Sequence, residues 1–595
     1  MSALHLRPPT VPLALLTLAA CSAGPRGASP PPAPSGSPAR VNAIADDYYR
    51  SLLQARPLSA FLSGAPETAL DRLDENDLPA VERWRAQEDA WLAGLRDIPA
   101  ADLDGTPDRV TNAVLRNTLE RSVERRVCRD DLWPVRQQGG VQQLPPRLAA
   151  LQPVGTAELR GKALARFRAF EPYLDTEIAN LREGTRRGYT APQHIVQAVI
   201  AQVDGLLSTP VESSPMTLLA QRDSTPGFRD SLLALLDSSL YPALARYRDY
   251  LSTEYLPHAR ESIAVSALPD GEECYRARVR GFTTLALDPR EIHRIGHREM
   301  ARIEAEAKVI ARRSFGTTNL PALYRRLRED PRFRFGSRKE VLDSAEAALA
   351  RVREVLPDWF GRLPRAGMVL EPCLEFEEAT GCPNSYLPPA QDGSRPGRWR
   401  INTSPQRASL VDIEAVAFHE GYPGHHLELT LNQERSRAHP VTRILGNSGF
   451  SEGWGLYAEQ LANEMQVYSG DLAQLGRLSA SAWRAARLVV DPGLHLLGWS
   501  RGQAVDYMLA HTALSRTGAE SEVDRYIINL GQATAYMMGR LEISRLRREA
   551  ERRLGGAFDL RAFHDRLLEN GRVPLPFLRE HIERWIADAA AGGGR

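Results

Sequence analysis

Lysine is nearly missing from this chain: Lys162, Lys308 and Lys339 are the only three in 595 residues, and arginine supplies the remaining basic charge. That bias follows genome composition more readily than function and excludes nothing. The charge balance does exclude something. Seventy-five basic against 74 acidic residues leave a formal charge of +1, without the basic excess of a nucleic-acid-binding surface. No nucleic-acid partner is expected. No apolar run reaches the roughly 18–20 residues of a membrane span, no repeat of fixed period is present, and long alternating strand patterns are scarce. A composition of 43% hydrophobic and 25% charged residues excludes wholesale disorder, collagen and coiled-coil rods. Cysteine is sparse too, at five, and the spacing of Cys128, Cys274, Cys373 and Cys382 matches no zinc module. An exported protein can pair these four, Cys373 with Cys382 being nearest in sequence, but buried free thiols fit the sequence equally well.

What is present begins with an address. Arg7, the apolar stretch Val11 to Ala20 and the order Leu18-Ala19-Ala20-Cys21 describe a secretory signal. Its ending on Cys21 resembles the bacterial lipoprotein signal, in which that cysteine is lipidated and becomes the first residue. An ordinary cut near Ala20 is the alternative. Residues 22–39, rich in Pro, Ser and Gly, read as a flexible tether, and 40–592 as the folded part. The expected location is the periplasmic face of a bacterial membrane. The non-acidic Ser22 is compatible with sorting to an outer membrane.

From Arg40 onward the punctuation is helical. Asp288-Pro289-Arg290-Glu291 reads as a cap, a proline at the first helical position and a reciprocal capping Glu. Ile292, Ile295, Met300, Ile303, Ala307 and Ile310 follow at helical spacing. Phe563 and Leu567 share a face, Gly571 stops that helix and Pro574 opens the next. The strand candidates lie between Met368 and Ile401, in a Pro/Gly-broken region. The expected fold class is mostly α with one small irregular or β insertion.

One segment carries chemistry: Phe418-His419-Glu420-Gly421-Tyr422-Pro423-Gly424-His425-His426. Two neutral imidazoles can hold a metal, and a Glu beside the first can take a proton from a water. The common spacing sets the histidines four apart on one helical face. Here the second His falls six or seven residues on, and seven residues of unbroken helix rise roughly 10 Å. A local bulge at Pro423-Gly424 would bring His425 back, whereas His426 needs one more residue absorbed; His426 is the alternative ligand. A third ligand is available downstream, in Phe450-Ser451-Glu452-Gly453-Trp454-Gly455. Ser451 can cap a helix with Glu452 in its first turn. Gly453 and Gly455 make sense where a backbone or metal approaches closely. His293 and His297, four apart, also have ligand spacing but lack an acidic companion, and read as packing; Trp454 and Tyr457 read as core.

These residues bring a resemblance into view. The chain is similar to the bacterial family catalogued as domain of unknown function 885 through Phe282-Thr283-Thr284 with Ile295-Gly296, Asp392 to Gly397, His419 to His426, Ser451 to Glu459, and Glu522 to Gly539. The family motif His-Glu-x-x-Pro-Gly-His falls on His419, Glu420 and His425. The family in turn resembles the helical zinc peptidases typified by angiotensin-converting enzyme, thimet oligopeptidase and carboxypeptidase Taq. That implies two helical halves around a deep cleft, with the metal-binding part between residues 400 and 545. It also implies one zinc ion on His419, His425 and Glu452, with Glu420 as general base. Leu456 stands where those relatives often carry an Asp, leaving Glu428 and Glu459 as the carboxylates at hand. Arg525-Tyr526 resembles the Arg-Tyr pair of the converting-enzyme group, and Gly531 to Tyr536 the Gly-Tyr-x-x-x-Tyr run of the oligopeptidases. Tyr536 and Tyr526 therefore compete as the oxyanion donor, with Tyr536 ahead. Gln532 and Arg525 beside them, and Tyr386, Asn384 and Asn402 in the loop region, are substrate-binding candidates; Arg540 and Arg547 could hold a peptide carboxylate. The expected function is an exported, membrane-anchored zinc metallopeptidase. The rivals are a zinc amidase or esterase of small molecules or cell-wall fragments, and a non-catalytic binding lipoprotein. The expected partners are a peptide or small amide substrate and, through the lipid, the membrane.

Overall fold

The computed structural model describes residues 36–591, apart from 66–67, 374–377, 379–381, 383, 391–392, 394 and 436–438. Cys21 and the expected signal lie outside the described residues, as do Asp392 and Ser394 of the quoted turn. The fold is mostly helical with one small three-stranded sheet. The amino-terminal part includes α1 (Ser37–Ala55), α2 (Leu78–Arg96), α3 (Asp108–Arg125), α4 (Phe170–Arg186) and α5 (Gly271–Thr283). Next come α6 (Pro289–Phe315) and α7 (Arg338–Trp359). The metal region holds α8 (Ile413–Glu420), α9 (His425–Glu434), α10 (Ser448–Glu464), α11 (Asp471–Leu496), α12 (Arg516–Ile528) and α13 (Ala535–Leu554). Among the described residues no helix is long and apolar enough to cross a membrane.

The capping reading of α6 holds in part. Asp288 accepts from the Arg290 N–H, Pro289 opens the helix, and Ile292, Met300, Ile303, Ala307 and Ile310 are buried along one stripe. Glu291, however, pairs with Arg294 and Arg298 rather than reaching back to the cap. Two cationic partners on its own face outcompete one backbone N–H. Gly296 lies on that stripe where a Cβ would meet Leu488 and Val489 at 2.8 Å, so α6 and α11 pack backbone-close.

The sheet occupies the expected region. β1 (Met368–Pro372) runs parallel to β3 (Gly397–Ile401), and β2 (Ser385–Leu387) pairs with β3 antiparallel. Gly397, Trp399 and Ile401 face inward while Arg398 and Arg400 are part-exposed, the alternation that a half-buried strand requires. The cysteines are paired as Cys128–Cys274 and Cys373–Cys382. The first couple, 146 residues apart, could not be matched by spacing.

The crossing of α10 and α13 rests on glycine. A Cβ on Gly539 would overlap the Gly449 carbonyl, and one on Gly453 would meet the Gly539 backbone. Gly539→Ala should therefore cost about 1–3 kcal/mol, the range for overpacking a tight contact, and lower the urea midpoint. Gly502→Ala, where a Cβ meets nothing nearer than the Ser500 hydroxyl at 3.8 Å, should leave that midpoint unchanged or raise it. Equal midpoints for wild type and Gly539→Ala would contradict the packing account.

Candidate metal centre

The break between the two histidines is a helix end and a helix start, not a bulge within one helix. α8 stops at Glu420, the Tyr422–Pro423 peptide bond is cis, and α9 opens at His425. Gly421 and Gly424 have ψ of −123° and −129°, outside the α region that a continuing helix needs. The Trp454 indole, fully buried on α10, donates to the Pro423 carbonyl at 3.0 Å and so fastens the turn to the helix that carries Glu452.

α10 starts one turn earlier than the sequence suggests. Asn447 is the cap, its side chain accepting from the Phe450 N–H at 2.9 Å, and Glu452 lies in the second turn. Ser451 instead donates to Glu428 at 3.3 Å. Asn447 takes the cap because its backbone is extended and its side-chain oxygen faces the first unpaired N–H groups. Gly455 is required by His419: a Cβ there would stand 2.7 Å from the imidazole.

His419, His425 and Glu452 converge, each offering one ligand atom within 4.8 Å of the others. Glu452 Oε2 lies 3.5 Å from Nε2 of both His419 and His425. That is long for a hydrogen bond. It matches the edge of a tetrahedron whose corners sit about 2.0–2.2 Å from a central zinc. The surroundings also fit a cation. His419 Nδ1 meets Glu459 at 2.8 Å, and Glu459 in turn faces Arg484 at 3.5 Å. His425 Nδ1 faces Glu428 at 3.9 Å, each of those atoms being buried without a hydrogen-bond partner. Carboxylates behind both imidazoles are the orienting arrangement of metal-binding histidines, and they supply what Leu456 does not. Burial opposes protonation of His425, but Glu428, Glu452 and Glu420 outweigh it and hold its pKa well above the ordinary value. Burial likewise opposes ionisation of Glu452, and His419 and His425 outweigh that. The centre is electronegative, and a divalent cation compensates it.

Glu420 is buried beside the triad, close enough to His425 to act on it electrostatically. His426 turns away: Nε2 meets the Tyr422 hydroxyl at 2.8 Å and Nδ1 the Tyr386 hydroxyl at 2.7 Å. Burial, with Arg353 nearby, pushes its pKa down to about 4. Tyr386 thus braces His426 from β2, and Gly397 leaves the room for it on β3. Asn402 donates to the Cys382 carbonyl and Asn384 accepts from Trp399, both holding the sheet region. Arg540 is committed to Glu299, and Arg547 to Glu464 and Glu551. His293 donates from Nδ1 to the Val489 carbonyl at 2.9 Å, and the His297 ring packs edge-on against it.

The two tyrosines differ. Tyr526 is fully buried; its hydroxyl donates to Glu522 at 2.7 Å and accepts from Arg487 and Trp483. Tyr536 is part-exposed, with Arg487 4.2 Å over its ring and Glu452 among the charges acting on its hydroxyl. Arg525 pairs with Glu522 and donates to Gln532 at 2.6 Å. The sequence reading missed Arg484, Arg487 and Asp491, all buried on α11. Asp491 accepts from the Gly531 N–H and the Tyr275 hydroxyl and so holds the turn that leads into Tyr536. Their one sequence signal is charge set among small apolar residues through the middle of a long helix.

Fold and site together define a helical protein with a buried His-His-Glu group able to hold a metal. The chain belongs to the family described as "Bacterial protein of unknown function (DUF885)", whose profile matches residues 57–582. Two solved structures, each described as that of a "putative lipoprotein", are similar along nearly the whole chain. The one from Colwellia psychrerythraea is 26% identical with a TM-score of 0.85, covering 93% of this chain and 100% of its own. The one from Shewanella oneidensis is 17% identical with a TM-score of 0.72, covering 91% and 99%, and speaks to the fold alone. No curated protein matches the chain. The lipoprotein description and the two disulfides agree with export to an oxidising compartment.

In a zinc titration of folded variants, His425→Ala and Glu452→Ala should lose the metal, while His426→Ala keeps it. Glu459→Gln should weaken affinity about 10–100-fold, the usual cost of losing an orienting partner. Retention by His425→Ala with loss by His426→Ala would overturn the assignment.

Proposed function

We propose that this chain is an exported, lipid-anchored, zinc-dependent peptidase. The observation that carries the reading is Glu420, a largely buried residue whose charge acts on His425, beside the converged His419, His425 and Glu452. Two imidazoles and a carboxylate suit zinc, and the cation, when bound, supplies Lewis acidity to a carbonyl and an attacking water.

The chain's own residues do the rest. Glu420 takes a proton from the water that attacks the scissile carbonyl, then returns it to the leaving amine nitrogen. Tyr536 donates a hydrogen bond to the oxygen on which negative charge develops. Its part exposure and its closeness to Glu452 favour it over Tyr526, whose hydroxyl is already occupied by three partners. Arg487, lying over the Tyr536 ring, fixes the ring's position. Glu459 keeps His419 in the tautomer that presents Nε2.

Glu420→Gln should retain zinc and lose peptide turnover by about 10²–10⁴-fold, and Tyr536→Phe should lose about 10²–10³-fold with an unchanged Tm. Tyr526→Phe should instead lower Tm, because it leaves Glu522 and Arg487 short of a partner. Wild-type turnover by zinc-loaded Glu420→Gln would end the mechanism.

The anchor is tested separately. The mature amino-terminal peptide from a bacterial membrane fraction should begin at Cys21 and carry acyl mass. A mature chain that begins elsewhere contradicts lipidation and leaves the peptidase reading untouched.

A further inference from the structure

The amino-terminal half holds a cavity of about 460 Å³, walled by residues of α1 to α5 and lined by none of the metal ligands. That volume suits a small ligand. Many of its charged side chains are paired. Arg85 meets Asp131 at 2.9 Å, Arg126 meets Glu88 at 3.1 Å, and Arg278 is bound to Asp130. Glu88 also accepts from the Trp84 indole at 2.8 Å and from the Ser122 hydroxyl at 2.6 Å.

Two guanidiniums are not paired. Among the described residues neither Arg56 nor Arg121 has a carboxylate within ion-pair distance. Arg56 lies over the Trp84 ring, 4.9 Å from its centroid. Among the described residues Arg121 reaches only the Gly446 carbonyl, at 3.5 Å, and its Nε is buried without an acceptor. Near both is Tyr48, whose hydroxyl feels first the Glu88 carboxylate and then both guanidiniums and has no hydrogen-bond partner among the described residues. Glu88 itself is taken up by Arg126, Trp84 and Ser122. Its ring is locked edge-on against Trp91, 5.2 Å between centroids. Burial, with Arg125 as neighbour, pushes the Arg121 pKa down to about 10.

Arg56 and Arg121 are half-buried; a half-buried cation with no counter-charge costs some stability, and an anion from outside removes that cost. Guanidinium forks with a hydroxyl are the donor set that holds planar or tetrahedral oxyanions through charge-assisted bonds. We propose that this cavity is a second binding site, taking the carboxylate or phosphate group of a small molecule between Arg121, Arg56 and the Tyr48 hydroxyl. The proposal stands apart from the peptidase reading, since it uses no residue of the metal centre.

The test is calorimetric titration of the full mature chain with three probes: N-acetyl-alanyl-alanine, its carboxamide, and inorganic phosphate. At least one anion should bind, with a Kd that rises about tenfold or more in Arg121→Met and in Arg56→Met, while the carboxamide shows no Arg121-dependent binding. Tyr48→Phe, which keeps the ring, should weaken the same probe several-fold. Arg121→Lys should fall between wild type and Arg121→Met. Tighter binding of the acid assigns a carboxylate ligand, and tighter binding of phosphate a phosphorylated one. Because Arg121 has no ion pair to lose, the Tm of Arg121→Met should equal or exceed that of wild type. No binding of either anion at millimolar concentration, or a Kd unchanged in both arginine variants, overturns the proposal.

Discussion

Gly424 has no space for a side chain: a Cβ there would overlap the carbonyls of Phe418 and His419. That contact folds α9 back onto the end of α8 and sets the His425 imidazole edge-on to that of His419, 4.8 Å between ring centroids. Without the turn from Gly421 to Gly424, a continuing helix would carry the second histidine roughly two turns away. The rest of the centre is arranged around this fold-back. Trp454 holds its carbonyls, Glu452 enters from the same helix, and Gly455 lets the His419 ring lie flat on that helix.

The same economy of space recurs behind the site. Gly449, Gly453 and Gly539 allow α10 and α13 to touch backbone to backbone, which brings Tyr536 at the start of α13 toward Glu452. Gly296 does the same for α6 against α11, the helix that supplies Arg484 and Arg487. Glycines that look like helix breakers are here the condition for helices to converge on one point. The electrostatic consequence is a pocket in which carboxylates and imidazoles outnumber their protein partners, as a cation site requires.

Much of this was legible in the residues themselves. The stripe of α6 follows from 3.6-residue spacing, and the triad with Glu420 from the chemistry of neighbouring His and Glu. Gly453 and Gly455 were read correctly as points of close approach, because nothing else excuses two glycines inside a helix. What escaped depends on partners distant in sequence. The turn at Gly424 is decided by atoms of Phe418, His419 and Trp454, not by Pro423 alone. Asn447, not Ser451, takes the cap because the backbone turns helical at Ser448, and the Ser451 hydroxyl, already inside the helix, is left to Glu428, 23 residues upstream. The occupancy of His426 by Tyr386 is a contact between the sheet and α9, and the pairing of Cys128 with Cys274 joins the end of α3 to α5. Local pattern carries no record of such contacts.

X-ray absorption at the metal edge of the purified full chain tests the central claim most directly, since it reads ligand type and distance without assuming a reaction. The account predicts one zinc per chain, with two imidazole nitrogens and a carboxylate oxygen at about 2.0–2.2 Å. A chain that takes up no zinc, or zinc whose shell lacks paired imidazoles, would contradict it.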